Sequence, residues 1–116
     1  MSFASNKNEV LRDKELYIFD MDGTIYLGSH VFDFAVKFIR KLRDAGKRVL
    51  FFTNNASHTP DFYLSKLTRL GFSPSRSEIM TSGDVTAEFL TRHRAGKSVY
   101  LVATDELFCD FAKRGI

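Results

Sequence analysis

Three short apolar runs recur along the chain: Leu16-Tyr17-Ile18-Phe19, Val49-Leu50-Phe51-Phe52 and Val99-Tyr100-Leu101-Val102-Ala103. Each is too short for a buried helix and has no polar alternation, so each is expected as a buried strand. Between them the apolar period shifts to that of helices. Parallel neighbours need a crossover, so this order points to an α/β domain with a parallel sheet and helices on both faces. Right-handed crossovers bring the strand C-termini to one edge, where such folds bind ligands. Asp20 and Thr53 fall on that edge.

The helical stretches carry their own punctuation. Phe34, Phe38, Leu42 and Ala45 form one stripe, and Gly46 stands where a helix C-terminal glycine belongs. Thr59-Pro60-Asp61 opens a second helix with Tyr63, Leu67 and Leu70 inward, closed by Gly71. Ile79-Met80 reads as a short strand. Ser82-Gly83-Asp84 starts a helix carrying Val85, Phe89 and Leu90, and Thr104-Asp105-Glu106 caps a last one with Leu107, Phe108 and Phe111 inward. Twelve Phe and no Trp suggest an aromatic core. Residues 1–15 are polar and read as an arm or short helix ahead of a domain spanning 16–116.

Composition excludes several classes. Seventeen Lys+Arg against fourteen Asp+Glu leave a net charge of +3. Arg40, Lys41 and Arg43 alternate with Phe38, Ile39, Leu42 and Asp44, which is the wet face of a helix, so no nucleic-acid partner is expected. The single Cys109 rules out an internal disulfide or a multi-cysteine metal site and reads as a small core residue. With no signal peptide and no stretch fit to span a membrane, a cytoplasmic setting is expected. His30, His58 and His93 lack metal-ligand spacing, and His58 reads as a surface residue at a helix start. There is no G-x-x-x-x-G-K-[ST] loop.

Two clusters carry chemistry. In Phe19-Asp20-Met21-Asp22-Gly23-Thr24-Ile25, two carboxylates two residues apart follow a strand and precede a glycine turn. Like charges so close repel, and a hard divalent cation such as Mg²⁺ would relieve them; the plainer reading is an Asx turn. In Phe52-Thr53-Asn54-Asn55-Ala56-Ser57, a hydroxyl, amides and free backbone N–H groups at a strand end can hold phosphoryl oxygens. Alone, this second cluster is equally ordinary turn chemistry.

Taken together, the runs YIFDMDGTIYLG (17–28) and LFFTNN (50–55), with Ile79-Met80-Thr81-Ser82 and Thr86-Ala87, resemble the haloacid dehalogenase superfamily and, within it, the NagD-type phosphatases. The resemblance covers about a hundred residues, nearly everything after the arm. It implies a Rossmann-like, three-layer core and a Mg²⁺-dependent phosphomonoester hydrolase acting on a small phosphorylated metabolite, a sugar phosphate or a nucleotide monophosphate. Asp20 would be the nucleophile that forms an aspartyl-phosphate, and Asp22 the general acid and base. Asp20 and Asp22 would hold the metal, the latter through its main-chain carbonyl. Thr53, Asn54 and Asn55 would bind the phosphoryl group, Gly23 would let the turn close, and Tyr26-Leu27-Gly28 would be a small flap over the nucleophile.

The departures bear equally on the reading. The superfamily also uses a Lys beside the aspartyl-phosphate, an acidic pair completing the metal shell and, in the NagD group, a cap domain; all three are expected to be absent from this chain. Lys97 precedes an expected strand and reads as a solvated loop residue. Gly83-Asp84 with Glu88 imitates the acidic pair but reads as a helix cap. The alternative is therefore a truncated or non-catalytic phosphate- and metal-binding fragment without turnover. A receiver-like domain would need a single acceptor Asp after a later strand, where Thr53 and Thr104 stand instead. A homo-oligomer is compatible with the resemblance.

Overall fold

A computed structural model describes residues 9–116. After a helical turn at 9–12, the chain forms β1 (Leu16–Asp20), β2 (Tyr26–Leu27), β3 (His30–Val31), α1 (Ala35–Asp44), β4 (Arg48–Thr53), α2 (Pro60–Arg69), a 3-10 turn (Arg76–Glu78), β5 (Ile79–Thr81), α3 (Ser82–His93) and α4 (Asp105–Lys113). The first eight residues of the expected arm lie outside the described residues.

The parallel α/β class is as expected. β1, β4 and β5 form a sheet in the order β1-β4-β5, with β4 parallel to both neighbours. Tyr17 is in register with Val49, Phe19 with Phe51, and Phe51 with Ile79, so these side chains share one face. Onto that face α1 brings Ala35, Ile39 and Leu42, and α2 brings Tyr63 and Leu67. Phe51 is fully buried and meets Phe72 edge to face at 6.0 Å. Burying a side chain of that size contributes about 2–3 kcal/mol. A second cluster joins Ala87 of α3 to Leu107 and Phe111 of α4.

Several local expectations are corrected. Val99–Ala103 is not a strand: it pairs with no neighbour among the described residues, and Tyr100 is 94% and Val102 86% exposed. Apolar β-branched content cannot make a strand without a ladder partner, and Leu101 packs instead against the second cluster. β1 is a strand buried on one side only, since Ile18 on the opposite face is 61% exposed. The α1 stripe is rotated by one residue: Ala35, Ile39 and Leu42 face in, while Phe34 and Phe38 are exposed. Those rings pack sideways instead, Phe34 on Phe32 and Phe38 on Phe19. Likewise Gly83 and Ala87, not Val85 and Phe89, form the buried stripe of α3, and Phe108 of α4 is exposed. Cys109, its neighbour, is also exposed rather than a core residue.

The start of α3 is tightly made. Thr81 accepts from the Asp84 backbone N–H at 3.1 Å, and the Asp84 carboxylate accepts from the Thr81 N–H at 2.9 Å, a reciprocal capping box. A Cβ at Gly83 would come within 3.1 Å of Leu107 Cδ1 and 3.3 Å of Thr81 Oγ1, so only glycine fits under α4 without displacement. Asp84 also pairs with Arg114 at 2.7 Å and Arg76 at 3.4 Å. Burial pushes its carboxyl up, but the Arg114 and Thr81 hydrogen bonds and the Arg76 charge outweigh that and hold it below the ordinary range.

A carboxyl with a lowered folded value contributes stability above its unfolded value and loses it as pH falls through the folded one. Asp84→Asn should therefore cost about 1–2 kcal/mol near neutral pH. The gap between the two proteins, read from urea unfolding, should shrink below about pH 4. A gap independent of pH would contradict this assignment.

Candidate active site

Asp20 ends β1, in register with Phe52, and the next residues of β4 and β5, Thr53 and Thr81, pair with each other. The two sequence clusters thus meet on one sheet edge. Beyond Asp20 the chain folds over itself: the N–H groups of Thr24 and Ile25 donate to Met21 O, and the Gly23 N–H donates to Tyr26 O at 2.7 Å. Gly23 has φ +83°, a conformation costly for any residue with a Cβ. Met21 and Ile25 are fully buried. The loop is therefore pinned from below by two apolar side chains, while Asp20 and Asp22 between and beside them stay exposed.

The carboxylates are lightly engaged. Thr24 Oγ1 donates to Asp20 Oδ2 at 3.3 Å, and the Gly28 N–H donates to Asp22 Oδ1 at 3.4 Å. Among the described residues neither carboxylate belongs to an ion pair. Two uncompensated, solvent-facing carboxylates and the main-chain oxygens around them are hard donors that fit Mg²⁺. Among the described residues no group of three His, Cys, Asp or Glu gathers to hold a metal. Water or phosphoryl oxygens would have to complete such a shell.

The expected flap is a β-hairpin: β2 and β3 pair antiparallel, Tyr26 with Val31 and Leu27 with His30. Its root is firm and its tip is open, since Tyr26 is buried and Leu27 exposed. Lys66 Nζ of α2 lies 4.3 Å from the Tyr26 ring centroid. Burial, then the neighbouring Tyr63 and the charges of Asp22 and Asp20, push the Tyr26 phenol up to about 12, so it stays protonated at any physiological pH.

After β4, Thr53 is buried and its hydroxyl accepts from the Asn55 N–H at 3.1 Å. Asn54 and Asn55 are exposed. The Asn54 carbonyl accepts from Ser82 Oγ at 3.0 Å and the Asn55 carbonyl from the Tyr63 hydroxyl at 3.2 Å. The Asn55 side chain turns back to the Ser57 N–H at 3.0 Å and to the Ser57 hydroxyl. Asn55 thus spends its side-chain oxygen on its own loop, whereas Asn54 presents its amide outward.

His58 does sit at a helix start, stacked on Phe62 at 3.8 Å. Its Nδ1 lies 3.0 Å from Glu106 Oε2. Glu106 Oε1 accepts from the Thr59 N–H and hydroxyl, both at 3.0 Å, and Thr104 Oγ1 donates to Ser57 O at 2.9 Å. The Thr59 backbone hydrogen bond first, and then His58, hold the Glu106 carboxyl below its ordinary value. The start of α4 therefore clips the far side of the loop. The sequence assigns Tyr63, Ser82 and Glu106 no part in the loop; it marks Tyr63 by the inward helical stripe, Ser82 by the run Ile79–Ser82 and Glu106 by the cap of the last helix.

A model of the haloacid dehalogenase-like hydrolase family matches residues 17–116. The acid sugar phosphatase of Staphylococcus saprophyticus is 31% identical over 106 residues, which cover 91% of this chain and 41% of that protein. A crystal structure of a 4-nitrophenylphosphatase from Thermotoga maritima superposes with a TM-score of 0.86 at 35% identity, over 91% of this chain and 41% of that one. A glycerol phosphate phosphatase from Mycobacterium tuberculosis, solved in complex with magnesium, gives 0.73 at 35% identity over 86% of this chain and 30% of that one. The chain spans about two fifths of the length of the curated relatives it matches.

Proposed function

The chain belongs to the haloacid dehalogenase-like hydrolase family, and from that premise we propose that it carries the nucleophile and phosphoryl-binding half of a Mg²⁺-dependent phosphomonoesterase. The observation that carries the reading is the meeting of Asp20 with the Thr53–Asn55 loop at one sheet edge. Phosphoryl transfer asks a protein mainly for positioning and charge, which this edge can provide.

In this mechanism an Asp20 carboxylate oxygen attacks phosphorus in line and the ester P–O bond breaks. The leaving alkoxide takes its proton from the Asp22 carboxyl. Asp22, now a carboxylate, then takes a proton from water, which attacks the same phosphorus, releases inorganic phosphate and regenerates Asp20. Thr53 and Asn54 hold the equatorial oxygens, while Asn55 keeps the loop in shape. Closure of the Tyr26–Val31 hairpin excludes water during the first transfer. A magnesium ion, held by the Asp20 carboxylate and the Asp22 main-chain carbonyl, would neutralise charge between nucleophile and phosphate dianion.

The substrate class is a small phosphorylated metabolite, either a sugar phosphate or a nucleotide monophosphate. The alternative reading is a phosphate- and metal-binding fragment without turnover. Phosphate release by the complete protein from a panel of both substrate classes separates the readings. The proposal expects release that falls by about 100-fold or more when EDTA removes the metal. Phosphate and magnesium binding without release from any member would favour the fragment reading.

A further inference from the structure

The peptide carbonyls of Asn54 and Asn55 stand in the loop proposed to meet a phosphate dianion, and a carbonyl oxygen facing that dianion would repel it. Both are occupied from the protein side by hydroxyl donors, Ser82 Oγ at 3.0 Å and Tyr63 Oη at 3.2 Å. The intervening Asn55 N–H is fixed on Thr53 Oγ1 at 3.1 Å, so the loop is gripped on three consecutive polar groups. Of the two hydroxyl donors, Tyr63 makes its contact from the core: it is 4% exposed and sits on α2, one turn before the Lys66 that lies against the flap residue Tyr26.

We propose that Tyr63 is a positioning residue for phosphoryl binding: its hydroxyl turns the Asn55 carbonyl away from the anion and so fixes the Thr53–Asn55 loop in its gripping shape. This rests on the phosphatase reading above and deepens it. Burial pushes the Tyr63 phenol up, only partly offset by the Thr53 hydroxyl beside it and reinforced by the charges of Asp22 and Glu106. The group is therefore a proton donor throughout the physiological range and can neither titrate nor act as base. A buried phenol spending its one proton on a loop carbonyl orients that peptide at little entropic cost, because the ring is already held by the core.

Tyr63→Phe removes only the hydroxyl. In the chain itself, amide hydrogen exchange at Asn55 should accelerate about tenfold while that of α1 is unmoved. In the complete protein, KM for 4-nitrophenyl phosphate and the inhibition constant of inorganic phosphate should both rise about five- to tenfold, as expected for one lost hydrogen bond, with kcat changed less than about twofold. Leu67→Val on the same helix loosens the core without touching the loop; it should lower the melting temperature and leave KM unchanged. Unaltered Asn55 exchange in Tyr63→Phe overturns the inference whatever the activity. Faster exchange with unaltered KM overturns the role in binding. A KM rise shared by Leu67→Val reduces Tyr63 to general stability and likewise overturns it. Absence of hydrolysis in the wild type would count against the phosphatase reading instead, and Asn55 exchange would still decide the grip.

Discussion

Asparagine in place of Asp20 should reduce phosphate release by the complete protein about 10⁴-fold or more, the scale on which a lost nucleophile is felt. The amide keeps the shape of the carboxylate but offers no anionic oxygen to attack phosphorus. The fold should be indifferent to the change. Asp20 is exposed, and among the described residues its side chain accepts one hydrogen bond, the long 3.3 Å one from Thr24, which an amide oxygen can equally accept. Loss of turnover at an unchanged melting temperature is thus expected. Retained turnover would end the nucleophile assignment, and loss of turnover through unfolding would show that the exposed carboxylate is structural.

Asp22→Asn should act differently. General acid–base help is worth about 10²–10⁴-fold, and the variant should lose that much with alkyl phosphates, whose alkoxide leaving group needs a proton. With an aryl phosphate the first step should suffer far less, because phenolates leave unaided, and a covalent phospho-protein should then accumulate while the second step waits for its base. Inorganic phosphate should still bind, since the Gly28 N–H can donate to the amide oxygen as it does to Asp22 Oδ1 at 3.4 Å. Equal losses for alkyl and aryl esters in the first step, phosphorylation of Asp20, or a loss of binding matching the loss of rate, would contradict the role.

What the sequence disclosed and what it withheld divide along one physical line. Short-range rules placed the ends of α1, α2 and α3: the glycine after α1, the proline opening α2 and the Asp84 cap of α3 each act within one turn of their own residue. The Asp20–Asp22 turn was marked by two carboxylates and a glycine whose types are costly together, and the resemblance implied a small flap after it without showing that it is a hairpin. Facing directions were less so. Phe34 and Phe38 look inward by size, yet the smaller Ala35 and Ile39 take the inner face, while Phe34 stacks on Phe32 and Phe38 packs edge-on against Phe19. Val99–Ala103 has the content of a strand, but pairing is decided by a neighbour the local sequence does not specify. The hydroxyls of Tyr63 and Ser82 and the Glu106 carboxylate reach the Asn54–Thr59 segment from elements 8 to 47 positions away in sequence. No local spacing encodes them. Met21 and Ile25 could have been found, since apolar residues beside Asp20, Asp22 and Thr24 imply a loop anchored by alternate side chains.

Trapping the transferred group puts the whole account to its most direct trial. Crystals of the complete protein soaked in beryllium fluoride with magnesium should show a tetrahedral beryllofluoride joined to a carboxylate oxygen of Asp20, its fluorines against Thr53 and Asn54. A bare Asp20 carboxylate, with the fluoride complex bound elsewhere or at no position, would contradict covalent transfer through that residue.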